Sequence, residues 1–179
     1  QESHSLRGVP GIIPKFKNQE DVAAFSKLIK KIPAYRDIFG EQSNGLQSSG
    51  ALHKIDGLVV ALGRSERYGE GHISHFWSDE HLVSGGIDGR LLAKEVVGDV
   101  GGVLLHRPGF ADNVGQLGEL NRRWTGIKKF HMERCASAAT NASRGRLGVI
   151  AFAVGADRAK SVVAALQHPT PLINRLYVD

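Results

Sequence analysis

The strongest constraint on this chain lies in its last third, Gly148 to Asp179. A short apolar run from Gly148 to Val154 ends at Gly155, and a helical pattern starts at once. In it Ala159, Val162, Val163 and Leu166 recur at helical spacing. His168-Pro169-Thr170-Pro171 stops the helix, and a second apolar run follows from Leu172 to Val178. Strand, helix, strand, with no room for a tight hairpin, predicts a right-handed βαβ crossover between parallel strands. Such units place their ligand sites where a strand turns into its helix. Here that turn is Val154-Gly155-Ala156-Asp157-Arg158. It offers backbone amides at a helix start and one basic side chain, which suits an anion. On spacing alone, an ordinary strand-to-helix turn with an exposed arginine explains the same residues, because no Walker pattern is present.

The rest of the chain reads as α/β. Its 179 residues suit one domain with a core of its own. Asn18 is a candidate N-cap, and the helix after it carries Val22, Phe25, Leu28, Ile29 and Ile32 as a stripe to bury, ending at Pro33. Glu41 to Gly50 reads as a loop or a weak helix. Asp56-Gly57 introduces LVVALG, a short apolar run expected to be a buried parallel strand ending at Gly63. The polar loop Arg64 to Gly71 after it is a second candidate site region. Asp88 to Val97 reads as a helix and Val100 to Leu105 as a strand. Phe110 to Glu119 reads as an irregular insertion, Leu120 to Ile127 as extended, and Ile127 to Ser143 as helical.

Composition narrows the function classes. No run is long and apolar enough to span a bilayer, and the polar stretch Gln1 to Arg7 does not resemble a signal peptide. The single cysteine, Cys135, excludes an internal disulfide and a cysteine-rich zinc site, and favours a reducing, cytoplasmic setting. A net charge of +5 and a pI near 9.5 raise nucleic-acid binding. The basic residues are scattered, however, with the densest group at Arg122, Arg123, Lys128 and Lys129, which fits a solvated surface equally well.

Several groups could carry chemistry. Gly98 and Asp99 lie among glycines before a predicted strand. A carboxylate there could accept hydrogen bonds from sugar hydroxyls, or could hold its own backbone in an Asx-type turn. His72 and His75, in GEGHISHFW, are candidates for metal binding or acid–base work, although no HExxH pattern supports them. No GxSxG elbow marks a nucleophilic serine. Cys135 in an alanine-rich stretch suits a packed thiol, and Trp77 and Trp124 suit core or interface positions.

Three segments in order carry a resemblance: ALHKIDGLVVALG, VVGDVGGVLL, and LNRRWTGI followed by VIAFAVGADRAKSVVAAL and INRLYVD. Together they resemble the C-terminal effector-binding (sugar-binding) domain of SorC-type, DeoR-like bacterial transcriptional regulators, over about Val9 to Asp179. The resemblance implies an α/β fold, a three-layer parallel-sheet architecture of the ribose-phosphate isomerase/glucosamine-phosphate isomerase type. It implies a cytoplasmic, homo-oligomeric, non-enzymatic domain that binds a phosphorylated sugar or polyol effector and needs no cofactor or metal. Carried over by position, Asp99 would contact sugar hydroxyls and Arg158 the phosphate, with Gly63, Gly98, Gly155 and Ala156 shaping the site. Arg123 matches an arginine with a partly structural role.

The departures are also expectations. DNA would be reached only through a helix-turn-helix that these residues do not contain. The N-terminal strands and Gly/Thr-rich turn that complete the family's phosphate site are not found here, and His106 stands where the family has Asp. The alternative is a sugar-phosphate isomerase, deaminase or lactonase of the same superfamily, with His72 as its acid–base group.

Overall fold

The computed structural model describes residues 16–33, 35, 42–43, 46–47, 55–64, 95–107, 115–141 and 145–179. The chain falls into two compact units, Gln1–Val9 with Lys15–Ile55 and Pro10–Pro14 with Asp56–Asp179.

In the first unit, helix α1 (Gln19–Lys30) starts where expected: the Asn18 side chain accepts from the Asp21 amide at 2.8 Å. Glu20 and Asp21 in the first turn, and Lys27 and Lys30 in the last, match the helix dipole. The expected burial of the apolar stripe is not observed. Val22, Leu28 and Ile32 are exposed, and Phe25 and Ile29 are half-buried. Periodicity identifies an apolar face but not what covers it. Strands β1 (Gln42–Ser43) and β2 (Leu46–Gln47) pair antiparallel where a loop or weak helix was expected.

The second unit holds a five-stranded sheet. Its strands are β3 (Gly57–Arg64), β4 (Val96–Val100), β5 (Val103–His106), β6 (Gly148–Ala153) and β7 (Arg175–Val178), in the order β5-β4-β3-β6-β7. The pairs β3–β6 and β6–β7 are parallel, while β3–β4 and β4–β5 are antiparallel. Four strands therefore share one direction and β4 alone is reversed. Helices α2 (Gly115–Arg123), α3 (Lys129–Asn141) and α4 (Ala159–Leu166) flank this sheet. Helix α2 packs on β5, α3 on β6 and β3, and α4 on β4, β3 and β5.

The predicted βαβ unit is present as β6, a single 3-10 turn at Ala156–Arg158, α4 and β7. The helix is rotated from its sequence reading, however. Ser161 and Ala165 are buried while Val163 and Leu166 are exposed. The small face wins because Gly98 has no side chain, so α4 approaches β4 until Ser161 Oγ donates to the Val97 carbonyl at 3.0 Å.

Three further readings are corrected. The segment from Val100 to Leu105 is not one strand. It reverses at Gly101-Gly102, whose φ values of 58° and 86° suit a two-residue hairpin turn. Val96 and Val97 belong to β4 rather than to a helix. Leu120 to Arg123 is helical, because Leu117, Leu120 and Trp124 recur at intervals of three and four and all three are buried.

Burial divides the sheet. All of β4 and most of β5 is buried, so both faces are covered at that end. Along β3, Leu58, Val60 and Leu62 are buried, beside Val149, Ala151 and Ala153 of β6. The opposite face is open there: Val59 is 70% exposed and Phe152 42%. The expectation of a strand buried on both faces thus fails for LVVALG, since an apolar run does not reveal whether its second face is covered.

Candidate functional site

The expected site residues meet at one end of the sheet, where β3 finishes beside the start of the β6–α4 turn. β3 runs past the end of its ladder with β6, whose last pair is Ala61 with Phe152. The Leu62 carbonyl beyond that point accepts from Arg158 Nε at 3.2 Å. Arg158 Nη1 donates to Asp157 Oδ1 at 2.6 Å, an ion pair within the 3-10 turn. The guanidinium is therefore held by backbone on one side and carboxylate on the other. Of its five donors, those on Nη2 have no protein partner among the described residues.

On the other side of β3, Asp99 stands opposite Gly63 in the antiparallel ladder. It is 2% exposed, and its Oδ2 accepts from the Gly102 amide at 2.9 Å, across the β4–β5 hairpin. This is the Asx-type arrangement that the sequence left open beside a sugar-contacting role. The glycines fit around it. A Cβ on Gly63 would lie 2.0 Å from Asp99 Oδ1, and one on Gly98 would lie 2.3 Å from the Gly63 carbonyl oxygen. Close approach of the Asp99 carboxylate at Gly63, and of the Ser161 side chain and the Gly63 backbone at Gly98, rather than φ, excludes side chains at both positions.

Gly155 opens the turn with φ of 94°, a left-handed value that favours glycine. Ala156, at the start of the 3-10 turn, is exposed and can offer only its backbone to a ligand. The Gly155 amide is already engaged, donating to Asp179 Oδ1 at 2.6 Å. The expected anion-facing amide thus holds a carboxylate of the chain itself.

Sequence reasoning missed Asp157, Asp179 and Ser161. Asp179 was legible in principle: Val178 pairs with Ala153, so the next residue must fall beside the turn that follows β6. In charge, Asp157 pairs with Arg158, while Asp179 lies at the Gly155 amide and Asp99 beside Gly63, so three aspartates and one arginine stand at this end of the sheet. Such a set supplies acceptors for hydroxyl groups and a single guanidinium for an anionic group.

Arg123, at the C-terminus of α2, is buried, which lowers its pKa through desolvation. Lys128 closes the same helix end: Nζ donates to the carbonyls of Asn121 (3.3 Å), Arg122 (2.8 Å) and Trp124. Burial pushes its pKa down to about 8. Trp124 is packed beneath Gly102 and Gly126, a core residue as expected. Cys135 is buried, and desolvation raises its thiol pKa, as suits a packed rather than reactive cysteine. His72, His75, Trp77 and most of the loop from Arg64 to Gly71 lie outside the described residues. Among those described, no group of three His, Cys, Asp or Glu could hold a metal ion, and no helix is long and apolar enough to cross a membrane.

No protein-family model and no curated protein matches this chain. Among solved structures, it is similar to the crystal structure of a domain of a possible sugar-binding transcriptional regulator from Arthrobacter aurescens TC1. The TM-score is 0.53 at 19% sequence identity, over 92% of this chain and 48% of that one. At that identity the likeness is one of fold. The chain spans about half the length of the structure it matches.

Proposed function

We propose that this chain is a ligand-sensing regulatory domain for a phosphorylated sugar or polyol, part of a cytoplasmic transcriptional regulator that works as a homo-oligomer. In this reading the fold is completed as three layers of the sugar-phosphate isomerase type, and DNA contact belongs to a helix-turn-helix outside these residues. One observation carries the reading. Asp99 and Arg158, from different strand ends, converge on the last residues of β3 in a fold similar to that of a possible sugar-binding regulator domain. Asp99 and the neighbouring carboxylates accept from ligand hydroxyls. Arg158 grips the anionic group with the guanidinium edge turned away from Leu62, and Gly63, Gly98 and Gly155 keep the backbone close. No catalytic set is assigned.

A thermal-shift panel tests this, comparing sugar phosphates, their unphosphorylated parents and inorganic phosphate. A ligand at a hundred times its Kd stabilises by about 2.7 kcal/mol, which is a shift of several degrees. The expected result is a shift with one phosphorylated compound that disappears in Arg158→Ala. A shift with the unphosphorylated parent alone, retained in Arg158→Ala, would refute the phosphate assignment. No shift across the panel would refute the sensing role.

A further inference from the structure

The two edges of the five-stranded sheet are treated differently. At the β5 edge, the Asn121 side chain acts as a substitute strand: Oδ1 accepts from the Leu104 amide at 2.8 Å and Nδ2 donates to the Leu104 carbonyl at 3.0 Å. That amide satisfies the outward backbone groups and blocks pairing. The β7 edge, Arg175–Val178, has no such plug among the described residues. Of the usual edge protections it has shortness, at four residues, and the charge of Arg175, but no lysine, proline or bulge. Tyr177 is 52% exposed and Val178 64%.

The sequence of this edge is self-complementary. Arg175 precedes the apolar centre Leu176-Tyr177-Val178, and Asp179 follows it. In an antiparallel pair with a second copy, centred on Tyr177, Arg175 of each copy lies opposite Asp179 of the other. Leu176 then lies opposite Val178, and Tyr177 opposite itself. Residues two apart share a face of the sheet, so both charge pairs and the tyrosine pair fall on the open face that also carries Phe152. There Phe152 already stacks on Tyr177, with ring centroids 5.2 Å apart and planes at 16°. Centring the pair on Leu176 or on Val178 instead separates the opposite charges. Asp179 is held in place, since one of its oxygens accepts from the Gly155 amide, and a carboxylate can accept from a second donor.

We propose that the β7 edge is a homodimerisation surface, joining two copies of this chain across a two-fold axis at Tyr177 into one ten-stranded sheet. The interface is isologous, as a closed dimer requires. It stands on the edge and its charges, independently of any ligand.

Two measurements on the 179-residue chain test it. Sedimentation equilibrium is expected to show a monomer–dimer equilibrium. Arg175→Glu and Asp179→Arg, each confirmed folded by circular dichroism, should each raise the dimer Kd about tenfold or more, since like charges then face each other twice. An equimolar mixture of the two variants should recover wild-type affinity, because the heterodimer restores both opposite-charge pairs. For the register, Tyr177→Cys should form an intermolecular disulfide on mild oxidation, because directly opposed residues in an antiparallel pair lie about 4.5–5.5 Å apart at Cα. Val178→Cys should not. A wild-type monomer at all concentrations, a dimer insensitive to both charge variants, or equal crosslinking at the two cysteine positions would each overturn the proposal.

Discussion

Replacing Gly63 by alanine separates a packing constraint from a conformational one. Gly63 lies within β3 and is not among the glycines with positive φ, so its backbone accepts an L-residue. Glycine in a strand costs about 0.5–1 kcal/mol relative to alanine, so without a neighbour Gly63→Ala would stabilise the protein. The neighbour is Asp99, whose Oδ1 would lie 2.0 Å from the new Cβ. Relief requires the carboxylate to swing away. That strains a packed site by about 1–3 kcal/mol and breaks its bond to the Gly102 amide, worth about 1.5–3 kcal/mol for a charged acceptor. Offset by the entropy gain, the net destabilisation expected is about 1.5–5.5 kcal/mol.

Urea unfolding followed by the fluorescence of buried Trp124, in a Trp77→Phe background, measures it directly. Asp99→Ala removes the obstructing oxygen. The double variant should therefore be more stable than the sum of the single effects by about 1 kcal/mol or more. A neutral or stabilising Gly63→Ala, or strict additivity in the double variant, would refute the close-approach argument.

Two further outcomes follow from the α2 region. Asn121→Ala leaves the Leu104 amide and carbonyl of a buried edge strand without their partner, and should cost about 1–3 kcal/mol in chemical denaturation; it should also increase aggregation through the uncovered β5 edge. Lys128, lowered by burial from 10.5 to about 8, binds its proton more weakly in the folded state than in the unfolded one. Its contribution to stability therefore rises with pH between about 8 and 10.5 and is constant below that window. The stability difference between wild type and Lys128→Met should shift in favour of wild type by up to about 3 kcal/mol across it. A flat difference, or an ammonium titrating near 10.5 by NMR, would contradict this assignment.

Local sequence determined the elements whose signals are local. Asn18 capped its helix, the alanine-rich stretch became α3, and the run from Gly148 to Val178 formed a βαβ unit with its turn at Gly155. Each depends on spacing within about 30 residues: a capping side chain, a helical period, a strand long enough to need a crossover. The grouping of Gly63, Gly98, Asp99, Gly155, Ala156 and Arg158 at one strand end was foreshadowed only by resemblance, since nothing local links β3, β4 and the β6–α4 turn.

Tertiary structure decided the rest. It rotated α4 onto its small face because Gly98 opened a space for Ser161. It reversed β4 by folding VVGDVGGVLL at Gly101-Gly102 instead of extending it. It left one face of β3 and β6 open although their sequences are as apolar as those of fully covered strands. It also brought Asp179 to the Gly155 amide, 24 residues away, through the register between β6 and β7. The physical reason is the same throughout. Propensity and periodicity act between neighbours in the chain, whereas register, helix rotation and face coverage are set by packing between segments far apart in it.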